Sequence, residues 1–196
     1  MILSDTRWYK TRVREDWIKL GYEEQEKLKE NRGAKTVRLF ENTDVVGVVG
    51  REIFREYAEK NLYNCKIFDF VPQQYGDDCD LTIGNYAGDI KTKYIQKDKD
   101  FDFHLRSTNG TVLEHQIKKE IAFYVFCGWS HTRGNGYIFG WAPKAHFDRY
   151  AYHIEPGTPL GLKWKAWGSY ELEVQRLFPI EDLSPENINY INKQLQ

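Results

Sequence analysis

The feature that most constrains this chain is the seven-residue run Ile121-Ala122-Phe123-Tyr124-Val125-Phe126-Cys127. Every residue in it is apolar or aromatic, so neither face can be turned to water. The run is far shorter than the roughly 18 residues that a membrane span needs. A short unbroken run of this kind reads as a strand buried on both faces, with other layers above and below it. Neighbouring segments supply the rest of a sheet. Cys65–Val71 alternates, Asp80–Ile83 and Asp89–Ile95 read as the arms of a hairpin across a Gly84–Gly88 turn, and Phe101–Leu105 alternates again. Tyr137–Ala142 and Tyr170–Leu177 are further strands, and Thr36–Phe40 is a short one.

Helices are expected at Glu15–Asn31, at Thr111–Glu120 and within Val45–Asn61. In the last of these, REIFREYAEKN places Ile53, Phe54, Tyr57 and Ala58 on one face. The preceding VVGVVG is read as close backbone packing at the helix start; it lacks the spacing of a nucleotide-binding loop. The expected fold is α/β, a mixed central sheet flanked by helices. Residues 1–45 are polar and charge-rich, and read as an N-terminal helical extension. Residues 46–196 read as a single domain whose tail, with Pro156, Pro159, Pro179 and Pro185, is loop-rich.

Composition removes several classes. At 41% hydrophobic and 15% aromatic, the chain is not a disordered or low-complexity one. Three cysteines with no CxxC exclude a disulfide framework or zinc ribbon as the plain reading. The opening MILSDTRWYKTRVRED has no apolar leader core, so a cytoplasmic protein with reduced thiols and no membrane association is expected. The formal charge is −1, from 28 basic and 29 acidic side chains, so any nucleic-acid binding needs a local patch.

Chemistry concentrates in Asp80-Leu-Thr-Ile-Gly-Asn-Tyr-Ala-Gly-Asp89-Ile90-Lys91. Side chains alternate along a strand, so Asp89 and Lys91 share a face while Ile90 turns to the other. Asp80 stands on the adjoining arm. Two carboxylates and an ammonium there form a reasonable Mg²⁺ site, because magnesium prefers oxygen ligands and keeps several waters. The ion would lower the pKa of an attacking water, and the lysine would orient that water. An Asp and a Lys two apart on an edge strand are also common as plain solvated surface. Asp77 and Asp78 compete with Asp80, which is preferred because Leu81-Thr82-Ile83 follows it directly.

The stretch from Gly47 to about Phe147 resembles the restriction-endonuclease-like, or PD-(D/E)XK, nuclease superfamily. The resemblance rests on Asp80 and Asp89-Ile90-Lys91, preceded by GVVGREIFREYAEK and followed by AFYVFCGW and GYIFGWAPKAHF. Cys79 stands where the motif has its proline. The resemblance implies Asp80 and Asp89 as ligands of Mg²⁺ or Mn²⁺ and Lys91 as the catalytic lysine. It also implies a helix glutamate, for which Glu52 is the candidate by position. On a helical wheel Glu52 lies roughly opposite the apolar face, and Glu56 is the poorer alternative.

Lys93 shares the strand face of Asp89 and Lys91, Gln116 follows the core strands, and Arg133 sits in the loop His131-Thr-Arg-Gly-Asn-Gly136. These three are the candidate nucleic-acid contacts. His104, His115, His146 and His153 form no recognisable triad, and Trp164 and Trp167 read as packing before base stacking. The leading expectation is a divalent-metal-dependent endonuclease acting on DNA, with a homodimer left open. The rival readings are a non-catalytic nucleic-acid- or protein-binding module on the same fold, and a different hydrolase with its site around His146 and His153.

Overall fold

A computed structural model describes residues 8–32, 43–69, 79–95, 109–117, 120–160, 163–164 and 168–195. The expected strands at Thr36–Phe40 and Phe101–Leu105, the competing Asp77 and Asp78, His104 and Trp167 lie outside the described residues. The chain is mixed α/β. Its centre is a six-stranded sheet in the order β1 (Tyr9–Arg12), β7 (Asn135–Pro143), β6 (Phe123–Ser130), β4 (Tyr86–Tyr94), β3 (Leu81–Ile83), β2 (Cys65–Ile67). Among the described strands, only β4 and β6 pair in parallel. The apolar run is the heart of this sheet: every residue of β6 is buried.

Helices α1 (Glu15–Arg32) and α2 (Thr43–Asn61) cover one face. There Val45, Val49, Ile53, Phe54 and Tyr57 meet Ile90, Phe123, Val125, Cys127 and Ile138 in one apolar cluster. Trp17 of α1 belongs to the same cluster, and β1 pairs with β7, so the segment before residue 45 contributes to both sheet and core. The other face is covered by a three-stranded antiparallel sheet and a helix. The sheet comprises β5 (Asn109–Leu113), β11 (Ser169–Glu173) and β8 (Tyr152–Ile154), and the helix is α3 (Lys144–Tyr150). Tyr124 and Phe126 of β6 meet Val112, Phe147 and Leu172 there. A two-stranded ribbon, β9 (Pro159–Leu160) with β10 (Lys163–Trp164), and helix α4 (Pro185–Leu195) complete the described strands and α-helices.

Three local expectations are corrected. VVGVVG lies inside α2, which begins at Thr43. Gly50 is what lets the helix approach so closely: a Cβ there would stand 1.7 Å from Thr92 Oγ1 on β4. The described residues of Thr111–Glu120 form no α-helix: Thr111 and Val112 lie in β5, paired with β11, and Glu114–Gln116 forms a 3-10 turn. β-branched residues fit a pleated surface better than a helix, and a partner strand decides the matter. The tail is less loop-rich than expected, since it contains α4. Ser184 Oγ accepts the Asn187 N–H at 3.2 Å and Pro185 occupies the first helical position, a regular helix start.

Candidate functional site

The hairpin carrying the acids turns in two residues, Gly84 and Asn85. Gly84 has φ +56°, a left-handed conformation that glycine adopts without a Cβ clash, so the turn is tight. The register Ile83↔Tyr86, Thr82↔Ala87 and Leu81↔Gly88 follows, so β4 begins three residues earlier than alternation alone indicates. Asp80 stands one residue before β3. Its N–H donates to Gly88 O (2.9 Å), and its Oδ2 accepts the Ile90 N–H (2.6 Å). Asp80 therefore brackets Asp89 from the adjoining strand.

Asp89 and Ile90 point to opposite faces. Ile90 joins the cluster under α2, and Asp89 turns toward the layer of Tyr124, Phe147 and Leu172. Asp89 is only 2% exposed, and its Oδ2 lies 2.8 Å from Lys91 Nζ, whose side chain is 14% exposed. A buried carboxylate demands a partner of this kind. Asp80, Asp89 and Lys91 are thus brought together.

Glu52 is not with them. It lies on α2, on the other side of the sheet, in an ion-pair chain that is buried at Arg51 and Glu52 and exposed at Asp69. Arg51 contacts both Glu52 (3.4 Å) and Glu24 of α1 (2.7 Å), and Arg55 contacts both Glu52 (3.2 Å) and Asp69 (2.6 Å). This chain ties α1, α2 and the end of β2 together. Glu56 is likewise engaged: it accepts hydrogen bonds from Tyr9 (3.0 Å) and Thr11 (3.1 Å) and pairs with Lys60 (2.8 Å). Lys60 and these donors hold its carboxyl below the ordinary range.

Lys93 is exposed, on the same face of β4 as Asp89 and Lys91. Gln116 is half-buried in the 3-10 turn, and its neighbour Ile117 packs against the cluster containing Tyr124. Arg133 sits in the turn after β6, nine residues beyond Tyr124. At about 3.3 Å per strand residue, that turn lies on the order of 20 Å from Asp89. His146 bonds Arg176 O (3.0 Å) and packs its ring against Tyr150 and, edge-on, against Phe178. His153 lies beside Glu155 (3.1 Å) on another element.

Residues missed in the sequence complete the surroundings. Tyr124 is the register partner of Asp89 across the parallel pair, and Phe147 of α3 packs on its ring at 4.9 Å. Burial, then the charges of Asp89 and Asp148, raise the Tyr124 phenol and keep it protonated. Asp148 forms a pair with Lys144 at 2.6 Å. Tyr124 was hidden inside an apolar run, where only strand pairing shows its neighbour.

Among the described residues, no group of three or more His, Cys, Asp or Glu is placed to hold a metal ion. Two carboxylates beside a lysine nevertheless fit a hard cation, since Mg²⁺ is commonly held by one or two carboxylates and waters. No described helix is long and apolar enough to cross a membrane. No family model, no curated protein and no solved structure matches the chain.

Proposed function

We propose that this protein is a divalent-metal-dependent nuclease of restriction-endonuclease-like architecture, hydrolysing phosphodiester bonds in DNA. The observation that carries the reading is the convergence of Asp80, Asp89 and Lys91 at one end of the β3–β4 hairpin. The central sheet supports it: α2 is followed by the antiparallel β2, β3 and β4 and, after β5 of the second sheet, by β6 parallel to β4. Asp80 and Asp89 would hold Mg²⁺ or Mn²⁺. When bound, such an ion polarises a phosphate oxygen and activates water.

The chain's own residues supply the remainder. The Ile90 N–H fixes the orientation of the Asp80 carboxylate. The Lys91 ammonium is a preorganised donor where charge builds on the phosphate, in a site that largely excludes water. Lys93, exposed on the same strand face, carries further positive charge for the backbone. A contact from Arg133 requires a substrate long enough to span about 20 Å, which is several nucleotides.

One observation favours the rival reading, a non-catalytic binding module. Asp80 and Asp89 are each engaged within the protein, by the Ile90 N–H and by Lys91. Purified protein incubated with plasmid, linear DNA and RNA separates the two. Wild type should cleave DNA with Mg²⁺ or Mn²⁺, and Asp89→Asn and Lys91→Ala should each lose on the order of 100-fold in rate. Gel filtration of the same preparation reads whether the active species is a homodimer. No cleavage of any substrate with either ion leaves the binding module standing.

A further inference from the structure

Registered neighbours on adjacent strands share a face, so Tyr124 looks into the same layer as Asp89. Its ring is wholly buried, held by Phe147 at 4.9 Å and Phe126 at 6.0 Å. Its hydroxyl is also buried and has no hydrogen-bond partner among the described residues. A phenylalanine would fill this position with the same ring and no donor to satisfy. Phe147 of α3 packs on its ring and Asp89 of β4 is its register partner, so the side chain lies between β4 and α3.

We propose that Tyr124 is a positioning residue of the candidate cation site, its phenol O–H donating to the Asp89 carboxylate when that carboxylate holds a divalent ion. The proposal rests on the nuclease reading. Carboxylates that ligate metals are themselves hydrogen-bonded, and removing such a partner weakens metal binding or activity 10–100-fold as a rule. Tyr124 suits that role by its position, as the register partner of Asp89 with a buried phenol O–H that meets no acceptor among the described residues.

The test is calorimetric titration of Mn²⁺ into the full chain, with thermal melts of the metal-free proteins alongside. Wild type should bind one ion, Asp89→Asn none, and Tyr124→Phe one ion about 10–100-fold more weakly. The metal-free melting temperature of Tyr124→Phe should equal or exceed that of wild type, because the ring packing is kept. Tyr137→Phe, a buried tyrosine two strands from β4, should bind Mn²⁺ as wild type does. Equal affinity in Tyr124→Phe and wild type overturns the proposal while leaving the nuclease reading intact. Identical behaviour of wild type and Asp89→Asn overturns the cation site itself, and the proposal with it.

Discussion

Gly47 and Gly50 lie one turn apart in α2, and the same substitution should have opposite effects at the two. Replacing glycine with alanine inside a helix is worth about 1 kcal/mol in backbone terms at either position. Around Gly47, an added Cβ meets nothing within 4 Å. Gly47→Ala should therefore stabilise the protein by about 0.5–1 kcal/mol. At Gly50 the Cβ would stand 1.7 Å from Thr92 Oγ1, 2.6 Å from Thr92 Cβ and 2.7 Å from Thr92 Cγ2. The helix and β4 would have to separate by more than an ångström across a close-packed layer. Overpacking of this kind costs about 1–3 kcal/mol, occasionally more, and the propensity gain offsets only part. For a chain of this length, 1 kcal/mol moves the melting temperature by about 2–4 °C. Gly47→Ala should rise by about 1–4 °C, and Gly50→Ala should fall by several degrees. Thermal and urea unfolding followed by tryptophan fluorescence reads both. Adding Thr92→Ala removes the two outer atoms of the clash and should restore part of the Gly50→Ala loss. If both alanines shift stability in the same direction, the close approach of α2 to β4 is wrong.

The Asp89–Lys91 pair should show an asymmetry. At 2.8 Å and an effective dielectric of 20, the gross attraction is about 6 kcal/mol, most of it offset by desolvation. Lys91→Met leaves Asp89 buried without its cation and should cost about 3–5 kcal/mol in urea unfolding. Asp89→Asn should cost less, because a lysine stem lets the ammonium reach water; equal losses would contradict the burial difference. Glu52→Gln should lower stability through the Arg51 and Arg55 chain yet leave any cleavage rate per folded molecule within a few-fold, and a loss comparable to Asp89→Asn would return Glu52 to the site. Burial holds His146 below its ordinary 6.5, with the Arg176 carbonyl opposing in part. The unfolded chain then takes up the proton first, so stability should be full above pH 6.5 and should decline as pH falls below it. His146→Gln should flatten that part of the stability–pH curve.

The sheet centre was legible because the run Ile121–Cys127 is apolar or aromatic throughout, and Ile53, Phe54, Tyr57 and Ala58 do form the buried side of α2. Asp89 and Lys91 were legible as neighbours because alternation along one strand is local. Glu52 was not placed by its sequence: its partners Arg51 and Arg55 are local, but Glu24 and Asp69, which hold those arginines, are distant in the chain. β1 escaped notice because Tyr-Lys-Thr-Arg is half charged, as suits an edge strand that buries one face. The start of α4 could have been read from Ser184-Pro185-Glu186, a cap followed by proline at the first helical position and an acid in the first turn. Tyr124 could not, since its pairing with Asp89 joins segments 35 residues apart.

The most direct test of the account is anomalous diffraction from a crystal of the wild-type chain grown with Mn²⁺. A single manganese peak within coordination distance of carboxylate oxygens from both Asp80 and Asp89 is predicted. No peak there, with the Lys91 amine still seated on Asp89, would contradict it.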